Sequence, residues 1–325
     1  MIWRASETRA READRRSPHF TTTKPLSSMR HAIDQSPSAT IRSIIAMLVA
    51  QAVFTANDTC VKLVAEGLPI GETMALRNGF ATLYILVFAV LAGGLGMPRD
   101  VPVKAFGWRI VGEIGSTIAF LWALTRMPLA DITALGQITP IAITAAGALF
   151  LREPVGWRRW LAALLGLLGV LLIVQPGTSA FTWAAVIALM ANALGVLRDL
   201  ATRVIGPSLS TLALVLSSVA AVLLAGIALL PFETWQIPSA RELLLAMAAG
   251  LFLTLGYAFL IISLRTGDLA AVSPFRYSAI LWALFAGYLL WGELPGPVPG
   301  LGIAIVVAAG LYTVHWERNS RQTSR

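Results

Sequence analysis

The sequence predicts an all-α integral membrane protein: ten transmembrane helices arranged as two inverted five-helix repeats. Composition gives the first ground. Hydrophobic residues make up 57% of the 325-residue chain and charged residues 13%, with a mean hydropathy of +0.74. A soluble domain carries roughly 25% charged residues because its surface must be solvated, so the solvent here is lipid. Internal repetition is the second ground. ADITALGQITPIAITAAGALFLRE, Ala130 to Glu153, returns without a gap as AAVSPFRYSAILWALFAGYLLWGE, Ala270 to Glu293, a register of 140 residues. Asp58 and Lys62 return as Asp199 and Arg203 in a register of 141, so two separate stretches agree on the unit length.

Loop charge is the third ground. The turn after Glu153 holds Arg158 and Arg159, whereas the turn after Glu293 reads Leu-Pro-Gly-Pro-Val-Pro. An odd number of helices per repeat puts these two turns on opposite sides of the membrane, which matches the charge difference.

The elements follow in order. Residues 1–42 are polar and lack the apolar core of a signal peptide, so they read as a disordered cytoplasmic tail, with Met29 as an alternative start. Helix-spanning stretches, about 20 residues each for a 30 Å hydrocarbon core, then fall near 43–65, 71–95, 106–126, 129–151, 157–175, 180–203, 209–230, 240–264, 268–291 and 298–316. Turn residues separate them, as in Leu68-Pro69, Met127-Pro128, Gln175-Pro176-Gly177 and Pro295-Gly296-Pro297. The expected units are a first repeat over 43–175, a second over 180–316 and a cytoplasmic tail over 317–325.

With the N-terminus in the cytoplasm, inside loops carry Arg99, Lys104, Arg152, Arg158, Arg159, Arg203 and Arg265. The outside loops EGLPIG, QPGTSAFT and WGELPGPVPG have no base, Arg126 and Arg241 being the exceptions.

Several function classes drop out. The one cysteine, Cys60, allows no disulfide or cysteine metal cluster within the chain. His19, His31 and His315 all lie in the tails, so no metal site or histidine relay is expected in the membrane. The net charge of +8 resides in tails and short loops, without the basic face and interleaved aromatics of a nucleic-acid binder. No Walker-type loop is present, and no cofactor is expected.

What remains are polar groups that cost energy to hold in lipid, on the order of 2.5–3.5 kcal/mol for a central charge. Arg77, Glu113 and Arg276 lie inside their spans and suit cavity or gating roles, against simple structural pairing. Gln137, Asn192, Tyr257 and Tyr277 join them as candidates for substrate contact or coupling. Asp58 with Lys62, and Asp199 with Arg203, share a helix face at four-residue spacing and read as gating or structural pairs. Glu153 and Glu293 sit at helix ends, where they would orient hairpins. Trp122 and Trp282 suit a pocket or plain helix packing. Ala162, Gly166 and Gly169 suit close helix approach and leave a homodimer open.

These features together resemble the EamA type of the drug/metabolite transporter superfamily. The resemblance rests on Lys62, Leu68-Pro69 and Arg77 across the first two spans, and on the hairpins ending in Leu-Arg-Glu153 and Trp-Gly-Glu293. It rests also on the glycines Gly166, Gly169 and Gly310, and on Arg-Asp-Leu-Ala-Thr-Arg at 198–203. It covers about 43–316. It implies ten helices around a central cavity and a secondary carrier, not an enzyme, that exports or exchanges a small polar or amphipathic metabolite across the bacterial inner membrane. Arg77 or Arg276 would meet a substrate carboxylate and Glu113 would couple protons. A membrane-embedded enzyme acting on a lipid-linked substrate and a passive facilitator are the alternatives.

Overall fold

The structure is a computed structural model that describes residues 37–91, 94, 100–139, 142, 157–175, 178, 181–266 and 272–323. Ten α-helices are present among them. They are α1 (Pro37–Ala65), α2 (Ile70–Leu91), α3 (Val103–Leu124), α4 (Leu129–Gly136) and α5 (Trp157–Val174). The second set is α6 (Trp183–Ile205), α7 (Thr211–Ala228), α8 (Ala240–Thr266), α9 (Ser278–Trp291) and α10 (Pro297–Thr323). By length and composition α1, α2, α6, α7 and α8 can each cross a membrane, and shorter apolar stretches run over Ala163–Val174 and Pro297–Tyr312.

Helix ends follow local chemistry. Pro102 and Pro128 stand just before α3 and α4, where a residue without an N–H costs nothing. The Ser210 hydroxyl accepts the Ala213 N–H at 3.2 Å and caps α7. Gly292, at φ 65°, closes α9 in the left-handed conformation that glycine adopts most readily. Besides α4, which stops at Gly136 inside the span expected over 129–151, three boundaries depart from the sequence expectation. With Pro37 at its first position, α1 starts before residue 43, so the helix takes in the end of the expected tail. At the other end α10 runs on to Thr323, through most of the expected C-terminal tail. The third is at 273–277, where the expected continuous helix gives way to a 3₁₀ turn, Ser273–Tyr277, containing Pro274.

Packing follows a two-fold pattern. The most extensive contacts are α1 with α8 and α3 with α6, then α5 with α10 and α2 with α7, while α4 meets α9. Advancing each helix by five positions carries α1–α8 onto α6–α3 and maps the other three pairs onto themselves. Five alternating helices per half leave corresponding helices antiparallel, as expected of an inverted repeat.

At two of the self-paired contacts the backbones touch. A Cβ on Gly302 would lie 2.6 Å from the Gly169 carbonyl oxygen, and one on Gly226 would lie 2.7 Å from that of Gly71. Only glycine permits this approach.

The burial pattern is inverted relative to a soluble protein. Leu164, Leu168, Leu281, Phe285 and Leu289 stand exposed along α5 and α9, whereas Lys62, Glu72, Arg77, Arg109 and Glu113 are buried. Exposed apolar faces of this extent suit lipid, and ionisable groups turned inward mark a polar interior.

Candidate functional site

Charged and polar side chains converge on a cavity of about 380 Å³ bordered by α1, α2, α3, α4, α6, α7, α8 and α9. Six residues singled out in the sequence line it: Asp58, Arg77, Glu113, Gln137, Asn192 and Tyr257. Each comes from a different helix or helix end. Gln137 lies at the C-terminus of α4. Asn192 reaches from α6 to donate to the Leu135 carbonyl at 3.1 Å, fixing α4 against α6.

Glu113 is the centre of one cluster. Its Oε2 accepts the Ser218 hydroxyl from α7 at 2.7 Å, and its Oε1 meets Arg198 Nη1 from α6 at 3.4 Å. Arg109, one turn earlier on α3, donates from Nη2 to Ser218 Oγ at 2.8 Å and lies 3.9 Å from the same carboxylate. Arg198 also donates from Nε to Asp199 Oδ1 at 2.9 Å. Three helices therefore meet on two guanidiniums and two carboxylates, and the Arg109 Nε and Nη1 stay buried without a hydrogen-bond partner.

The second group is open. The Asp58 carboxylate takes one hydrogen bond, from Asn57 Nδ2 at 2.9 Å. Arg77 is 8% exposed, and its Nε is buried without a hydrogen-bond partner. Among the described residues neither forms an ion pair. Phe54, one turn before Asp58, stands edge-to-face with Tyr257 at a centroid distance of 5.5 Å and 84° between planes. Phe120 completes an aromatic wall.

A third cluster lies one turn beyond Asp58 along α1. Lys62 Nζ donates to Glu293 at 2.9 Å and to the Met127 carbonyl at 3.2 Å, and sits 4.5 Å from the Trp291 ring centroid. Glu293 Oε2 also accepts the Leu129 N–H at 3.2 Å. This knot joins α1, the α3–α4 turn and the end of α9.

The expected pairs are thus not the pairs that form. Lys62 bonds Glu293 rather than Asp58, which faces the cavity. Asp199 bonds Arg198 rather than Arg203, which is exposed. A four-residue spacing puts two groups on one face, but Lys62 found its partner at the end of another helix and Asp199 found its own in the adjacent residue. Arg276 is exposed on the 3₁₀ turn and does not line the cavity, because the break at Pro274 removes the helical register that would have carried it inward. Tyr277 is buried away from the cavity; a Cβ on Gly310 of α10 would collide with its hydroxyl. Trp122 stacks beneath Arg126, 4.0 Å from its guanidinium carbon, and Trp282 is exposed. Glu153 lies outside the described residues.

Arg109 and Ser218 were not among the sequence candidates. Arg109 is four residues before Glu113 within one span, a spacing that marks an intrahelical pair. Ser218 is one of several hydroxyls in α7 and carries no sequence signal of its own.

Residues 41–175 match the EamA-like transporter family. The chain is 26% identical over 264 residues to a riboflavin transporter of Vibrio cholerae serotype O1, covering 80% of this chain and 87% of the relative. It is 26% identical over 270 residues to the pseudopaline exporter CntI of Pseudomonas aeruginosa, covering 82% and 93%. It is 23% identical over 265 residues to an S-adenosylmethionine uptake transporter of Rickettsia prowazekii, covering 81% and 89%. All are transporters of small metabolites rather than enzymes. A solved structure titled "Crystal structure of protein" superposes with a TM-score of 0.61 at 17% identity, over 86% of this chain and 99% of that one, so the fold is shared.

Proposed function

We propose that this chain, which carries an EamA-like transporter domain, is a secondary carrier that exports or exchanges a small polar or amphipathic metabolite by alternating access. The observation that carries the reading is a charged cavity held inside a two-fold helical bundle whose outer faces are apolar. Polar groups at this depth are costly, so they persist where they meet a solute or one another. The relatives, named as importers and exporters of quite different metabolites, support the carrier class.

The Lys62–Glu293 knot closes one mouth of the cavity in this reading. With the basic loops in the cytoplasm of a bacterial inner membrane, that mouth is the outer one, so the conformation opens inward. The rocking motion breaks the knot as the halves tilt about the cavity. Glu113 serves in coupling: protonating it would remove the charge that holds Arg198 and weaken the bond from Ser218, loosening α3 from α6 and α7.

The test is counterflow in proteoliposomes over a panel of amino acids, vitamins, nucleosides and organic acids. A carrier gives saturable exchange driven by internal substrate. Collapsing an imposed proton gradient is expected to abolish uphill transport, while Glu113→Gln keeps exchange and loses the proton dependence. Transport unchanged by the collapse removes the coupling role.

A further inference from the structure

We infer that the cavity binds a zwitterion, a solute of amino-acid type carrying one anionic and one cationic group on an aromatic or apolar body, and that Arg77 and Asp58 read the two charges. The inference rests on the carrier reading above and narrows it.

Charge accounting carries the argument. Arg77 and Arg198 line the cavity with Asp58 and Glu113, while Arg109 and Asp199 stand behind them against Glu113 and Arg198. Four of these charges neutralise one another: Glu113 with Arg109 and Arg198, and Arg198 with Asp199. The remaining two, Asp58 and Arg77, have opposite sign, line the same cavity and form no ion pair among the described residues. Arg77, 8% exposed, lines that space, and its buried Nε has no hydrogen-bond partner.

Asp58 and Arg77 attract one another across the cavity without touching, and a like charge brought beside either one is costly. A simple anion would satisfy Arg77 and add a second negative charge beside Asp58. A simple cation would satisfy Asp58 and add repulsion at Arg77. A zwitterion answers both and leaves the net charge of the site unchanged.

The apolar half of the ligand has its own surface. Phe54 precedes Asp58 by four residues on one helix face, and its ring meets that of Tyr257. Phe120 lines the same cavity. The volume of about 380 Å³ lies within the range of about 300–1,000 Å³ seen in small-molecule sites.

The experiment uses the full chain in lipid nanodiscs and two matched sets of probes. L-phenylalanine is compared with 3-phenylpropanoate and 2-phenylethylamine, and L-leucine with 4-methylpentanoate and 3-methylbutylamine. Binding is read by thermal stabilisation and by calorimetry. At least one zwitterion is expected to bind about tenfold or more tighter than both of its single-charge analogues. Asp58→Asn is expected to gain affinity for the matching carboxylate, and Arg77→Gln for the matching amine.

These opposed gains cannot come from general damage to the fold. A single-charge analogue binding wild type as tightly as its zwitterion overturns the inference, as does binding of neither zwitterion. If that analogue also shows counterflow, the carrier reading stands without the zwitterion. A zwitterion that binds but shows no counterflow keeps the inference and removes the carrier.

Discussion

At the scale of residues, Ser218 does more than its size suggests. Its single oxygen accepts from Arg109 and donates to Glu113, so Ser218→Ala leaves a buried guanidinium and a buried carboxylate each short of one bond. The expected cost is on the order of 1–3 kcal/mol, read as a lowered melting temperature, and Ser218→Thr should recover most of it. Arg77, Glu113, Gln137, Asn192 and Tyr257 were legible in the sequence because lipid penalises polar groups at mid-span, whatever their neighbours. Arg276 looked equivalent by that criterion and is exposed, since depth along a span says nothing of a local 3₁₀ break. Ser218 was illegible for the opposite reason: a hydroxyl costs too little in a helix to stand out. Partners were less legible than positions. Asp58 and Lys62 share a face on α1, yet Lys62 bonds a residue 231 positions away, and no local spacing encodes that.

At the scale of elements, two features set how the helices meet and part. The contact of α5 with α10 depends on Gly169 and Gly302, where each backbone lies against the other. Gly302→Leu drives a side chain into the Gly169 carbonyl and is expected to destabilise by on the order of 1–3 kcal/mol, whereas Gly300→Ala on the same helix, with open space around it, should be neutral or stabilising by up to about 1 kcal/mol. Thermal unfolding in detergent compares the two. In the carrier reading the Lys62–Glu293 knot acts on conformation instead. Lys62→Ala removes a charge bonded to both Glu293 oxygens and to Met127, and should favour the opposite opening by about tenfold or more, an effect of 1–3 kcal/mol. Of the contact glycines only Gly169 was legible, as a small residue at packing spacing, whereas Gly71, Gly226 and Gly302 carried no such signal; the knot was half legible, through the repeat that aligned Glu293 with Glu153 without naming what either touches.

At the scale of the whole molecule, the two-fold contact pattern was foreshadowed by the 140-residue register, because a duplicated sequence folds into duplicated helices that pack by symmetry. What that register leaves unspecified is how the halves differ. The two halves share a cavity yet supply different charges to it: the first gives Asp58, Arg77 and Glu113, the second Arg198 and Tyr257. In the carrier reading, such an unequal lining within a symmetric scaffold lets one solute be held while the scaffold rocks.

The central claim is that the cavity opens to one side of the membrane at a time. Membrane-impermeant maleimide labelling of Ser116→Cys, a cavity-lining position on α3, tests it in a Cys60→Ala background, using right-side-out and inside-out vesicles. Labelling from the cytoplasmic side alone is expected while Lys62 is intact, with labelling from the outer side appearing on Lys62→Ala. Equal labelling from both sides, unchanged by that substitution, would mean an open passage and contradict the carrier.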